Sequence, residues 1–112
     1  MKSIKSLYYS ESIKKVYHNR IKKQLESGNF KMKKDIHVII LNERGDNLFE
    51  YIELKNYMKV YEVNNDFILV GAVKSYSEFT EFVTNFINKC LDAGVSIEKT
   101  AIINYITNLE EF

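Results

Sequence analysis

The sequence predicts an α+β fold: a four-stranded, mainly antiparallel sheet with an N-terminal basic helix and two C-terminal helices, in the order αββββαα. Three observations predict it. Apolar residues recur at intervals of three and four near both ends of the chain. Short β-branched and aromatic runs alternate with turn residues in the middle, and zero Pro with four Gly leaves few places for a linker. With 112 residues, 46% of them hydrophobic, the chain can bury one core. We read residues 1–112 as a single domain, with a basic helical segment over 1–34, the sheet over 35–74 and a helix pair over 75–112.

From Ser10 to Glu26, Ile13, Val16, Tyr17, Ile21 and Leu25 fall on one side of a helix wheel, and Lys14, Lys15, His18, Lys22 and Lys23 fall on the other. Ser10 is the expected N-cap and Gly28 the expected stop, while Ile4, Leu7 and Tyr8 form either a preceding helical turn or a separate arm. Asp35 to Leu41 is nearly all apolar and rich in β-branched residues, which predicts a central strand buried on both faces. After a turn around Gly45, strands are expected at Leu48–Leu54, Tyr57–Val63 and Phe67–Val73. Leu48 to Met58 also shares a helical face, an alternative for the second and third strands.

The clearest helix carries Phe79, Phe82, Val83, Phe86, Ile87, Cys90 and Leu91 on one stripe. Ser75 and Glu78 have capping-box spacing ahead of it, and Gly94 ends it. Ser96 is the expected cap of a last helix with Ile102, Tyr105, Ile106 and Leu109 on one face. Short loops between consecutive strands favour an antiparallel meander whose apolar face the helices cover.

Charge is divided along the chain. The first 34 residues hold ten Lys or Arg and two acids (10 minus 2, +8), and the other 78 hold six and thirteen (6 minus 13, −7), so the total is only +1. Such a dipole implies one preferred docking side. The acids Glu43, Asp46, Glu50, Glu53, Glu62 and Asp66 cluster on the expected hairpins, as solvated edges or as an imitation of nucleic acid.

A single cysteine, Cys90, excludes an intrachain disulfide and a Cys-rich zinc site, and it suits a reducing cytoplasm. Its place on the apolar stripe makes it core rather than nucleophile. The longest apolar runs are about six residues, against roughly 20 for a membrane span. No hydrophobic stretch backs the N-terminal charges, so no signal peptide is expected. His18 and His37 lie in different elements without ligand spacing, and no Gly-rich phosphate loop is present, so no metal or cofactor is expected.

These patterns point to a small non-enzymatic binding protein acting by macromolecular contact on a larger protein or ribonucleoprotein. Tyr8, Tyr9, Tyr17, Tyr57 and Tyr61 would anchor it, and Lys14, Lys15, Arg20, Lys22 and Lys23 would steer it. In size and lack of catalytic motifs it is similar to the compact inhibitors and regulators that phages and mobile elements encode, anti-CRISPR proteins among them. The dipole also permits a homodimer. Nucleic acid, tracked by the basic helix, is the alternative partner.

Two local resemblances bear on that alternative. Asp35 opens IHVIIL, and Glu53, Leu54 and Lys55 close the return strand, which resembles the PD-(D/E)xK nuclease superfamily over about 21 residues. The resemblance implies that Asp35 and Glu53 hold Mg²⁺ while Lys55 steadies developing charge. There is little room for the family's preceding strand or for its helix after Lys55. The AGVS segment within Asp92–Asn108 resembles the turn of helix-turn-helix proteins. From Asp92 onward, however, four acids face only Lys99, a balance that phosphate would repel.

Overall fold

A computed structural model describes residues 2–27, 36–43, 47–54, 56 and 67–110. They form strand β1 (Lys2–Tyr9), a 3₁₀ turn (Lys15–Tyr17), helix α1 (His18–Ser27) and strands β2 (His37–Asn42), β3 (Phe49–Glu53) and β4 (Phe67–Val73). Helices α2 (Tyr76–Asp92) and α3 (Lys99–Asn108) follow. The class is α+β. The sheet is mixed, however, with strand order β1-β4-β2-β3, and the expected meander is corrected. β2 runs antiparallel to both β3 and β4, whereas β1 lies parallel to β4 at the other edge.

The N-terminus departs furthest from expectation. Lys2–Tyr9 is a strand, and the helix begins at His18 rather than after a cap at Ser10. Lys2, Ser3, Tyr8 and Tyr9 pair in parallel with β4, with Ile4 to Leu7 in the irregular stretch between the two pairs, and this overrides the helical spacing of Ile4, Leu7 and Tyr8. Between strand and helix the chain turns through 3₁₀ geometry, with about 3.0 residues per turn instead of 3.6, which breaks the apolar phase. Ile13 stays buried, but Val16 is 77% exposed and Tyr17 39%, not core as the wheel implied.

The central strands match their expected positions. β2 and β4 are hidden on both faces, so alternate residues feed two cores. Val38, Ile40, Phe67 and Leu69 pack with Ile13, Ile21 and Leu25 beneath α1. Ile39, Leu41, Ile68 and Val70 pack with Phe82, Phe86, Cys90, Ile102 and Ile106 beneath α2 and α3. Phe49 meets the rings of Phe82 and Phe86 edge-on at 5.5 and 5.7 Å. β4 changes phase midway: Ile39 pairs with Gly71 and Ile40 with Leu69, so Val70 is an extra residue at a bulge. β1 comes so close there that a Cβ at Gly71 would collide with the Tyr8 carbonyl.

α2 is capped as its sequence indicates. The Ser75 hydroxyl accepts from the Glu78 N–H at 3.2 Å, and the Glu78 carboxylate reaches back to accept the Lys74 N–H at 2.8 Å. The helix ends in a Schellman arrangement, with Gly94 at φ 72° and the Val95 N–H bonded to the Cys90 carbonyl at 2.8 Å. Ser96 is not the cap of α3; Glu98 holds that position without a side-chain bond. The expected strand at Tyr57–Val63, the stop at Gly28 and the turn at Gly45 lie outside the described residues. Leu54 and Asn56 are helical, so β3 ends at Glu53. Among the described residues, no helix is long and apolar enough to cross a membrane.

Candidate functional site

The 3₁₀ turn and α1 carry the cations singled out in the sequence. Ile21 and Leu25 point into the sheet, which sets Lys23 on the opposite side of the helix with Arg20 and Lys22 flanking it. Lys14 and Lys15 project from the preceding turn, and all five side chains are exposed. Among the described residues none of the five forms an ion pair. The surface pair at 3.7 Å joins Lys5 of β1 to Glu110. Arg20 lies 5.7 Å from the centre of the Tyr17 ring, a cation–π contact at the edge of the same surface.

Exposed Val16 and Tyr17 therefore stand among the cations. The result is an exposed turn with apolar Val16 and Tyr17 in the company of Lys14, Lys15 and Arg20. Such a surface attracts anions over long range and gains further from an apolar contact.

His18 belongs to the scaffold of this face rather than to its charged side. Its ring stacks on Tyr9 with centroids 4.0 Å apart, and the Tyr9 hydroxyl donates to the His18 carbonyl at 3.2 Å. His18 Nε2 lies 3.0 Å from the Ile13 carbonyl, which can only accept, so the imidazole donates there. The end of β1 and the start of α1 are thereby fastened together. Between them lies a cleft of 320 Å³ with Ser3, Lys5, Ser6, Asn19 and Lys22 on its polar walls.

The tyrosines divide. Tyr17 is exposed, Tyr9 is engaged with His18, and Tyr8 is half-buried with its ring 4.7 Å from Phe82. Burial, and after it the charges of Glu81, Glu78 and Glu11, push the Tyr8 hydroxyl pKa up. Tyr57 and Tyr61 lie outside the described residues.

The nuclease triplet is not assembled among the described residues. Glu53 closes β3 opposite His37, and Asp35 and Lys55 lie outside them. No group of three His, Cys, Asp or Glu among the described residues could hold a metal ion. Cys90 is fully buried, and desolvation pushes its thiol pKa up despite nearby Lys89, which is the environment of an inert core thiol.

Sequence reasoning missed a second surface, a groove of 810 Å³ between β3 and α2 lined by Leu48, Tyr51, Tyr76, Phe79, Val83 and Ile87 among others. The signal was present in α2. Phe82, Phe86 and Cys90 fill the sheet-facing arc, so Phe79, Val83 and Ile87 extend the apolar stripe beyond one contact. Tyr51 ties the groove together, 5.4 Å from Phe79 and 5.6 Å from Tyr76, with His37 stacked on it at 4.3 Å.

No protein-family model, curated protein or solved structure matches this chain.

Proposed function

We propose that this protein is a non-enzymatic binding domain that docks through its Lys14–Lys23 face on an acidic surface of a larger protein and acts as an inhibitor or regulator by occupying it. One observation carries the reading: five exposed cations, without an ion pair among the described residues, share the 3₁₀ turn and α1 with an exposed aliphatic side chain. Holding like charges together opposes folding, and an acidic partner relieves that repulsion. Val16, more exposed than its neighbour Tyr17, favours protein over nucleic acid, because an aliphatic side chain gains from an apolar pocket and not from stacking on a base. Four of the five cations are lysines, which supply charge without the planar fork that reads phosphates and base edges. The cytoplasm, where a lone thiol stays reduced, is the compartment we assign to this activity.

The test is a pull-down from the native host at low and high salt, with wild type beside the reversal Lys14→Glu, Lys15→Glu, Lys22→Glu and Lys23→Glu. A protein retained at low salt by wild type and lost by the reversed chain supports the proposal. Recovery of nuclease-sensitive material instead would assign the face to nucleic acid. Equal recovery by both chains would overturn it.

A further inference from the structure

We infer that the acidic surface met by the Lys14–Lys23 face includes a second copy of this chain, with the Val16–Tyr17 turn of one copy seated in the β3/α2 groove of the next. This rests on the reading of that face as a docking surface for acidic protein and adds a second occupant beside the larger protein.

Shape and charge agree on both sides. The turn stands out in solvent, with Val16 77% exposed and the exposed cations Lys14, Lys15 and Arg20 close to it in the chain. The groove is concave and chiefly apolar, and Tyr76 at its mouth is 62% exposed. Glu50 lines it, and Glu53 and Glu78 lie close enough to Tyr51 that, after burial, their charges push its hydroxyl pKa up. Lys74, beside Tyr76, is the opposing cation. The same polarity runs through the whole sequence, +8 over residues 1–34 and −7 over residues 35–112. Large apolar patches left open on a small domain mark contact sites. Here one chain supplies both the knob and the hole.

Topology then decides the kind of assembly. α1 covers one face of the sheet, whereas α2 covers the other, so one copy cannot seat its own turn in its own groove. The contact joins different surfaces of the two copies, which makes it head-to-tail, able to repeat. Twelve residues line the groove, fewer than the roughly 20 to 30 a side of a standard stable interface. Association is therefore reversible and concentration-dependent.

Sedimentation velocity over a concentration series, at low and high salt, tests this with two variants at exposed positions. Val16→Asp spoils the knob, and Thr84→Arg places a cation in the groove that repels the incoming lysines. Circular dichroism confirms that both variants are folded. Wild type is expected to grow beyond a dimer at low salt and to dissociate at high salt. Each variant alone should associate at least about tenfold more weakly. An equimolar mixture should restore a dimer that grows no further, because only one intact knob faces one intact groove.

A wild-type chain that stays monomeric at every concentration in low salt would overturn the inference, and so would a Thr84→Arg chain that associates like wild type. In either case the basic face is judged separately, by whether the four-lysine reversal loses its captured protein.

Discussion

The Ser10 hydroxyl donates to Glu78 Oε1 at 3.1 Å, joining the residue that follows β1 to the first turn of α2. The same carboxylate oxygen accepts the Lys74 N–H, and the Ser10 and Ser12 hydroxyls lie 3.1 Å apart. One side chain thus ties a helix start to the edge strand. Ser10 is buried, so removing its hydroxyl leaves Glu78 with a partner water cannot easily replace. We expect Ser10→Ala and Glu78→Gln each to cost about 1–2 kcal/mol, with a coupling of about 0.5 kcal/mol or more in a double-mutant cycle followed by urea denaturation.

That carboxylate also sets a pH dependence. Burial is the largest single influence on Glu78 and raises its pKa, but hydrogen bonds from the Ser12 side chain, the Lys74 N–H, the Ser10 side chain and the Ser75 N–H together bring it below the ordinary 4.5. A depressed folded-state pKa contributes stability that is present above the unfolded value and lost as pH falls through the folded one. The stability gap between wild type and Glu78→Gln should accordingly be widest near neutrality and narrow below pH 4.5. A constant gap across an acid titration of unfolding would contradict the assignment.

Gly71 admits no side chain because β1 crosses it at the Tyr8 backbone. Gly71→Ala must push β1 off β4 or shift the bulge at Val70. The expected loss is about 1–3 kcal/mol, read from a denaturation midpoint, with faster amide exchange concentrated in Lys2–Tyr9.

Ile13 and Val16 sit three residues apart, yet one is buried and the other is not. Val16→Asp should change stability by no more than about 0.5 kcal/mol, as surface substitutions do. Ile13→Asp, which places a charge among Ile21, Leu25 and Leu69, should cost about 3 kcal/mol or more. Equal losses would restore the continuous helix that the wheel suggested.

The Cys90 thiol is shielded under α2 and α3 and held protonated by burial. A disulfide reagent should therefore modify it slowly in the native state, at a rate that climbs with urea through the unfolding transition. Rapid stoichiometric labelling without denaturant would show that the helix pair opens readily.

Much of this architecture was legible locally. Phe82, Phe86 and Cys90 declare the buried side of α2 by spacing alone, and Ser75 and Gly94 mark its ends by capping chemistry. β2 and β4 stood out because a strand covered on both faces needs an uninterrupted apolar run. β1 did not. Ile4, Leu7 and Tyr8 have helical spacing, and only a neighbour far along the chain makes them a strand. For the candidate site, the residue types of the basic face were readable from charge, whereas the tip at Val16 was hidden by a 3₁₀ turn that no periodicity announces. The groove escaped notice because its walls come from β3 and α2, which are separated in sequence.

Amino-acid order alone determined where apolar side chains repeat, which residues cap α2 and how charge is divided along the chain, since these depend on neighbours within a turn or two. Tertiary structure decided that β1 lies parallel to β4, that α1 and α2 cover opposite faces of the sheet, and that Val16 faces solvent. Those outcomes come from competition among distant segments for the same sheet edge and the same buried area. That competition is settled by the total surface removed from water, a sum no local pattern contains.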